Sequence, residues 1–268
     1  MLGASETPYD VRFRLLGIPV RVHPLFWVMA AFVGWRDYNL PMVAVSVACV
    51  FVSILVHEYG HGLVAKAFHA SPSIILWGMG GLCDTQSNRQ TPSQRLAVVL
   101  SGPGAGFVLC LLVMVVASVF FGISPGEHVS VAERVVGITP QWDDLSTAEL
   151  KFRTITNSDR PFEIYQFLVF VNLLWGLFNL LPIWPLDGGR VSEIVLSRIN
   201  PSQGVRWGHI VSLLVAGILA VLAVSFRRSG LFLPIFFAYF AMINYQMLQS
   251  IHQAQSMGLY QDDDWWKR

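Results

Sequence analysis

Two histidines and a glutamate stand inside an otherwise apolar stretch of the chain, residues 50–64 (VFVSILVHEYGHGLV). On an α-helix, residues four apart lie on the same face, so His57 and His61 can bind one metal ion. Glu58 lies beside them and can accept a proton from a water molecule. This is the H-E-x-x-H arrangement of zinc hydrolases, in which two neutral imidazoles hold Zn²⁺ and the carboxylate is the general base. The spacing therefore predicts a zinc hydrolase whose base is Glu58.

The same residues admit other interpretations. A histidine pair on a helix can simply pack, but its neighbours here are valine, isoleucine and leucine, among which ionisable groups are costly and usually functional. A non-catalytic membrane scaffold or transporter could use the same metal ligands, although it would have no need of a base between the histidines. A hydrolase of lipids or small amides also stays open, because the same activated water serves all acyl substrates.

The composition is that of a protein in a lipid bilayer. The chain has 268 residues, of which 54% are hydrophobic and 13% charged, and its mean hydropathy is +0.53. Soluble domains average about a quarter charged residues. The net charge of +1 and the lack of a basic helix argue against a nucleic-acid partner. An odd number of cysteines without a C-x-x-C pair indicates neither a disulfide framework nor a cysteine zinc site: Cys49, Cys83 and Cys110.

Apolar stretches predict an all-α polytopic membrane protein with about six transmembrane helices. The six predicted spans are residues 21–35, 40–56, 95–121, 161–181, 205–226 and 231–248. The span at 40–56 rises about 26 Å before His57, which places the metal near the far end of that helix.

We predict a six-span core over residues 23–250, with a cytosolic segment at 1–22 and a cytosolic tail at 251–268. Residues 1–22 lack the apolar core and cleavage site of a signal peptide. From a cytosolic N-terminus, two crossings put the metal near the cytosolic side, and a third puts residues 122–160 outside the cytosol, as a loop or small cap. Six crossings return the tail to the cytosol. The distribution of Lys and Arg favours this orientation modestly.

A small β-hairpin or re-entrant element is predicted within residues 71–91, at the cytosolic side. Short β-prone runs there are separated by glycines, which include Gly80 and Gly81. An exposed strand edge could hold an extended peptide by main-chain pairing. A purely structural hairpin fits the same residues.

A catalytic zinc usually has a third protein ligand. A longer metzincin-type motif would need histidine at position 67 and glycine at 64, where Ala67 and Val64 stand. The candidates are Asp84, after the glycine turn, and Asp187. The second is favoured, because an unpaired carboxylate among prolines and glycines at the end of a span would be hard to explain.

Two motifs together resemble the site-2 protease family of intramembrane zinc metalloproteases, in a form without PDZ or CBS domain. They are HEYGH at 57–61 and NLLPIWPLDGG at 179–189. The segments Gly80-Gly81-Leu82 and Ser101-Gly102-Pro103 are also similar to the family. The resemblance implies that His57, His61 and Asp187 bind one Zn²⁺ ion and that Glu58 activates water.

The resemblance further implies that Asn179 engages the substrate backbone or the oxyanion; from the residues alone it would be a hydrogen-bonding residue in helix packing. Family substrates are membrane proteins or signal-peptide-like segments, cleaved within or next to their transmembrane segments in regulated intramembrane proteolysis. The expected location is the bacterial inner (cell) membrane. The sequence does not indicate the oligomeric state.

Overall fold

The computed structural model of the chain describes residues 5–33, 40–85, 90–136, 147–225 and 232–257. Its elements in chain order are β1 (Val11–Leu15), β2 (Ile18–Val22), α1 (Pro24–Val33), α2 (Leu40–Ala67), β3 (Ser73–Trp77), β4 (Gly80–Asp84), α3 (Pro92–Phe121), α4 (Pro125–Val136), α5 (Thr147–Thr156), α6 (Arg160–Asn179), α7 (Asp187–Ile199), α8 (Gly204–Ser225) and α9 (Phe232–Ser256). The chain forms two compact units, Met1–Ser87 with Ser101–Leu177, and Asn88–Leu100 with Phe178–Arg268.

Four of the described helices are long and apolar enough to cross a membrane: Leu40–Ala67, Pro92–Phe121, Arg160–Asn179 and Gly204–Val224. They fit an integral membrane protein and confirm a mostly helical fold. Helix α1 is apolar but has only 10 residues. Helix α9 has the length but contains several amides and tyrosines. The number of six spans therefore stays a prediction.

The β-structure is larger than the predicted hairpin. The hairpin is present as β3 and β4, paired antiparallel with Trp77 opposite Gly80. Two further strands extend it to a four-stranded sheet of order β1-β2-β3-β4. Strand β2 pairs parallel to β3, with Val20 opposite Ile74. A helical crossover through α1 and α2 separates these strands in sequence, so their pairing is not visible in local patterns.

The β1–β2 hairpin lies within residues 1–22, for which we predicted a cytosolic segment and no strands. Its two-residue turn is Leu16-Gly17, and both residues have positive φ (50° and 78°), as in the hairpin turns whose twist matches that of the strands. The inward side chains of β2 are fully buried, and they alternate with outward ones. This period-2 pattern was present in the sequence and could have predicted the strand.

The first unit packs this sheet against the motif helix. The buried residues of β2 and β3 share a core with α1, α2 and α6, which includes Phe26, Ile54 and Val171. The Tyr59 hydroxyl donates to the Leu15 carbonyl at 2.9 Å, and Lys66 Nζ donates to the Leu16 carbonyl at 2.9 Å. Both contacts lie on the C-terminal half of α2, so the hairpin turn braces the part of the helix that carries the motif.

Helices α4 and α5 lie within the predicted loop or small cap at 122–160. Lys151 of α5 bonds to Glu127 of α4 at 2.7 Å. The Phe121 and Phe152 rings stack with centroids 3.8 Å apart. The described part of this segment is thus a helical cap with an aromatic core.

The second unit consists mainly of α7, α8 and α9, and its polar core holds the segment before α7. Asn244 of α9 donates to the Trp184 carbonyl at 2.8 Å. The Trp184 amide in turn donates to Ser212 Oγ of α8 at 3.0 Å. The Asn244 side chain also bonds to His209 Nδ1 at 2.9 Å. Two helices therefore fix the backbone three residues before Asp187.

Candidate metal centre

His57, Glu58 and His61 lie on one continuous helix, α2, in its C-terminal half. Their side chains are 2%, 4% and 6% exposed, respectively. Residues of the same helix such as Val52 and Leu63 are exposed, as expected for a surface that faces lipid. The three motif residues are therefore buried inside the protein, while aliphatic residues of the same helix point outward.

The two histidines have the geometry of a shared metal site. Their Nε2 atoms lie 3.3 Å apart, and their rings are inclined by 79°. Two nitrogens bound tetrahedrally to one zinc ion, at about 2.0–2.1 Å each, would be separated by about 3.3–3.4 Å. The observed separation of the donor atoms therefore fits zinc without a change of conformation.

Asp187 begins α7 and is 6% exposed. A carboxylate in the first turn of a helix is stabilised by the amides that point toward it. The structure gives a reason for the two glycines that follow it. A Cβ on Gly188 would overlap the Leu180 and Leu181 carbonyls, and one on Gly189 would overlap the Trp184 backbone. Close backbone approach therefore requires both glycines.

The alternative acid, Asp84, is the last residue of β4 and is exposed. The three residues that the family resemblance assigns to the metal, His57, His61 and Asp187, are all buried. All three cysteines are buried.

The residues predicted to bind substrate are placed as follows. Asn179 is the last residue of α6 and is buried. Gly80 opens β4 with φ of 122°, a conformation that favours glycine, and its Cα faces the Trp175 ring. Gly81 lies directly against the Glu58 side chain. The glycine turn thus lies beside the predicted general base.

Comparison with known proteins bears on what this arrangement does. The sequence profile of peptidase family M50 matches residues 45–224, a range that includes the motif and Asp187. The chain belongs to peptidase family M50. The zinc metalloprotease MJ0392 of Methanocaldococcus jannaschii is 26% identical over 194 residues, which are 71% of this chain and 46% of that protein. The stage IV sporulation protein FB of Bacillus subtilis is 24% identical over 188 residues, 69% of this chain and 50% of that protein.

A solved structure extends the likeness to the fold. The site-2 protease from Methanocaldococcus jannaschii superimposes with a TM-score of 0.57 at 20% identity and covers 90% of this M50 chain and 95% of that one. The family match and the zinc metalloprotease relatives confirm the predicted site-2 protease family, and this structure shows the likeness in fold. The chain spans about half the length of the curated relatives it matches.

Sequence reasoning did not find the residues that hold the Asp187 segment. Ser212, His209 and Asn244 of this M50 chain lie on α8 and α9 and bond around Trp184. Their one signal was an amide and an imidazole inside predicted spans, where polar side chains need partners. His23 directly precedes α1, and its Nδ1 accepts a hydrogen bond from the Leu25 amide at 3.1 Å, so it caps that helix.

Proposed function

We propose that this protein is an intramembrane zinc metalloendopeptidase, which hydrolyses peptide bonds within or next to the transmembrane segments of membrane proteins. The observation that carries the proposal is the position of Glu58, which is buried beside two imidazoles whose Nε2 atoms lie 3.3 Å apart. The helix that holds all three is apolar enough to span a membrane. The names of the M50 relatives support the same activity.

His57, His61 and Asp187 would hold one zinc ion. Two imidazoles and one carboxylate suit Zn²⁺ best among the common divalent ions, and a catalytic site needs a fourth, open position for water or substrate. A zinc ion in such a site lowers the pKa of a bound water toward neutrality and polarises the scissile carbonyl. Asp187 suits the role because it is a buried carboxylate at the start of α7, and a carboxylate oxygen is an ordinary zinc ligand.

Glu58 would act as the general base. Its carboxylate accepts a proton from the water that attacks the scissile carbonyl carbon, and it then gives that proton to the leaving amine nitrogen. The carbon–nitrogen bond breaks, and a new carboxylate and a new amine are formed. A metal-binding scaffold or transporter would have no use for this carboxylate, so the role of Glu58 separates the two functions.

Substrate would bind as an extended chain beside the base. Strand β4 is the last strand of the sheet and pairs with β3 alone among the described strands. An added strand at this edge would form main-chain hydrogen bonds next to Gly80 and Gly81. The amide of Asn179 would bind the substrate backbone or the oxyanion. A substrate helix must unwind before its peptide bonds reach such an edge.

We further propose that the active site faces the cytosolic side of a bacterial inner membrane. The proposal follows from the predicted six spans, with residues 1–22 and 251–268 in the cytosol and residues 122–160 outside it. The modest excess of Lys and Arg on the predicted inner side supports this orientation.

Replacement of the base tests the function. Glu58→Gln keeps the size of the side chain and removes its basicity, so we expect wild-type zinc content and a loss of roughly 10²–10⁴-fold in the cleavage rate of single-span membrane peptides. The matched control is Glu163→Gln, which changes an exposed carboxylate in the first turn of α6 and should leave both unchanged. A Glu58→Gln protein that cleaves at the wild-type rate would exclude the assigned role.

A further inference from the structure

Gly102 of α3 lies directly against one of the two motif histidines. A Cβ built on Gly102 would overlap the His61 ring, and its three nearest atoms would be Nε2, Cε1 and Cδ2 of that ring. The φ of Gly102 is not positive, so the backbone conformation does not demand glycine here. Glycine is required here because only a residue without a side chain leaves room for the His61 imidazole.

We infer that Gly102 is a positioning residue, which holds the His61 imidazole so that its Nε2 faces that of His57. The inference rests on the proposed function, in which His61 binds zinc. The missing side chain at position 102 leaves space for the ring. The 3.3 Å separation of the two Nε2 atoms depends on the ring orientation that this space permits. Partners outside the ligand set commonly fix the orientation of metal-bound imidazoles in this way.

Helix α3 is held in this position because it contacts the backbone of α2 at the neighbouring residues, Ser101 and Gly60. Ser101 Oγ donates to the Gly60 carbonyl at 2.9 Å. A Cβ on Gly60 would overlap the Ser101 backbone and lie 2.8 Å from Ala105 Cβ. Such small-residue contacts bring helices together closely in membranes. Helix α3 therefore cannot easily retreat from His61, and a side chain at position 102 would be accommodated by rotation of the His61 ring instead.

The two glycines of this helix contact predict different consequences. At Gly102 the overlapping atoms all belong to one side chain, so Gly102→Ala should keep the fold and displace the ligand. At Gly60 they are mainly backbone atoms, so Gly60→Ala should separate the helices and lower the stability of the fold. Gly104, two residues along α3, has open space around it, so Gly104→Ala is the matched control.

A fourth variant, Gly81→Ala, is designed to displace the proposed base, Glu58, instead of a metal ligand. The three atoms nearest to a Cβ on Gly81 would be Cγ, Cδ and Oε1 of Glu58, which is the proposed base and not a proposed metal ligand. Gly81→Ala therefore introduces the same methyl group at the same motif, but it should leave zinc binding intact while it displaces the carboxylate. Loss of zinc in Gly102→Ala and its retention in Gly81→Ala would show that the effect is specific to His61.

The experiment has two readouts without metal and one with it. In zinc-free full-length protein in detergent, the rate at which diethyl pyrocarbonate modifies His61 is measured by mass spectrometry, together with the unfolding temperature from a thiol-reactive dye. Zinc affinity is then measured by competition with a chelator. For Gly102→Ala we expect faster modification of His61, a near wild-type unfolding temperature, and zinc affinity reduced roughly 10–100-fold. Gly104→Ala should match wild type in all three.

An unchanged rate of His61 modification in Gly102→Ala would overturn the inference. So would a loss of stability in Gly102→Ala as large as that in Gly60→Ala. A loss of zinc affinity in Gly81→Ala similar to that in Gly102→Ala would also overturn it. The modification rate needs neither zinc nor a substrate. If wild type binds no zinc and cleaves nothing, the proposed function fails, while the modification rate still decides whether Gly102 positions His61.

Discussion

Three side chains of α2 carry the proposed chemistry, and each must be both buried and polar. An uncompensated charge buried in an apolar environment costs several kcal/mol even after relaxation, so an ionisable group persists there with partners or with a function. His57 and His61 meet this condition as a pair that can share one cation. Glu58 meets it as a base whose proton transfers occur away from bulk water.

The sequence offered two candidates for the third metal ligand, Asp84 and Asp187, and favoured the second. Asp187 is buried at the start of α7, whereas Asp84 is exposed at the end of β4. We predict that Asp187→Ala lowers zinc affinity by more than the roughly 10–100-fold that loss of an outer partner costs, because a ligand itself is removed. Asp84→Ala should keep wild-type affinity. Chelator competition on the two variants checks this; the reverse order would make Asp84 the ligand.

At this scale the sequence predicted what depends on local spacing. Positions 57 and 61 are one helical turn apart, so their common face followed from helix geometry alone. The contacts of Gly102 with His61 and of Gly81 with Glu58 could not be predicted, because they join segments separated by more than 20 residues. In the sequence each of these glycines was compatible with a turn, a helix contact or a flexible position.

At the scale of elements, the segment before α7 depends on side chains far along the chain. Asn244 is fully buried and makes three hydrogen bonds, to the Trp184 and Phe240 carbonyls and to His209 Nδ1. It connects α9 to α8 and to the chain just before Asp187. The orientation of that acid is therefore expected to depend on an amide that does not touch the motif.

We predict that Asn244→Ala lowers the free energy of unfolding by about 1–3 kcal/mol, because the Trp184 carbonyl and His209 Nδ1 lose a buried partner. The exposed amide Gln249 lies on the same helix, and Gln249→Ala should be neutral. Unfolding can be followed with a thiol-reactive dye, since the three native cysteines are buried and free. Equal unfolding temperatures for the two variants would contradict the role of Asn244.

The helical cap formed by α4 and α5 contains a buried histidine. His128 bonds through Nδ1 to the Tyr165 hydroxyl at 2.6 Å and through Nε2 to Ser118 Oγ at 2.7 Å. Burial lowers the pKa of His128 below its ordinary value of 6.5, and the nearby Glu127 carboxylate opposes this shift only in part. The folded protein therefore favours the neutral imidazole more than the unfolded chain does.

This lowered pKa predicts a cap that is less stable in acid. As the pH falls through 6.5, the unfolded chain takes up a proton at His128 more readily than the folded chain does, so stability falls as the pH falls. We expect the unfolding temperature of wild type to drop more between pH 7.5 and about pH 5.5 than that of His128→Gln. His69→Asn, at an exposed histidine outside the cap, should follow wild type. Parallel curves for wild type and His128→Gln would refute the prediction.

Element predictions succeeded where a pattern is local and failed where pairing is distant. The four long apolar helices were each predicted within a few residues of their observed ends, except that α2 continues past the predicted span and includes the motif. The β3–β4 hairpin was predicted from its glycines. Strand β2 was missed, although Ile18, Val20 and Val22 alternate, because its partner β3 follows about 50 residues later and the intervening helices conceal the pairing.

At the scale of the whole molecule, membership of family M50 and the four apolar helices support the proposed membrane-bound metalloprotease. The family match covers residues 45–224 and so includes both proposed halves of the zinc site. The proposed position of these residues within the membrane would limit the supply of water, which favours a site where one water is activated by a metal ion and a fixed base. It would also restrict substrates to segments that can enter from the bilayer and unwind.

The central claim is that this chain hydrolyses peptide bonds with zinc, and isotope incorporation tests it most directly. Wild-type protein in detergent is incubated with single-span membrane peptides in ¹⁸O-labelled water, and the masses of the products are measured by mass spectrometry. We predict two fragments from each cleaved peptide, of which the N-terminal one carries one ¹⁸O atom in its new carboxylate. Cleavage should cease when a chelator removes the metal and should return when zinc is added. Stoichiometric zinc without cleavage of any peptide would contradict the claim and favour a metal-binding scaffold or transporter.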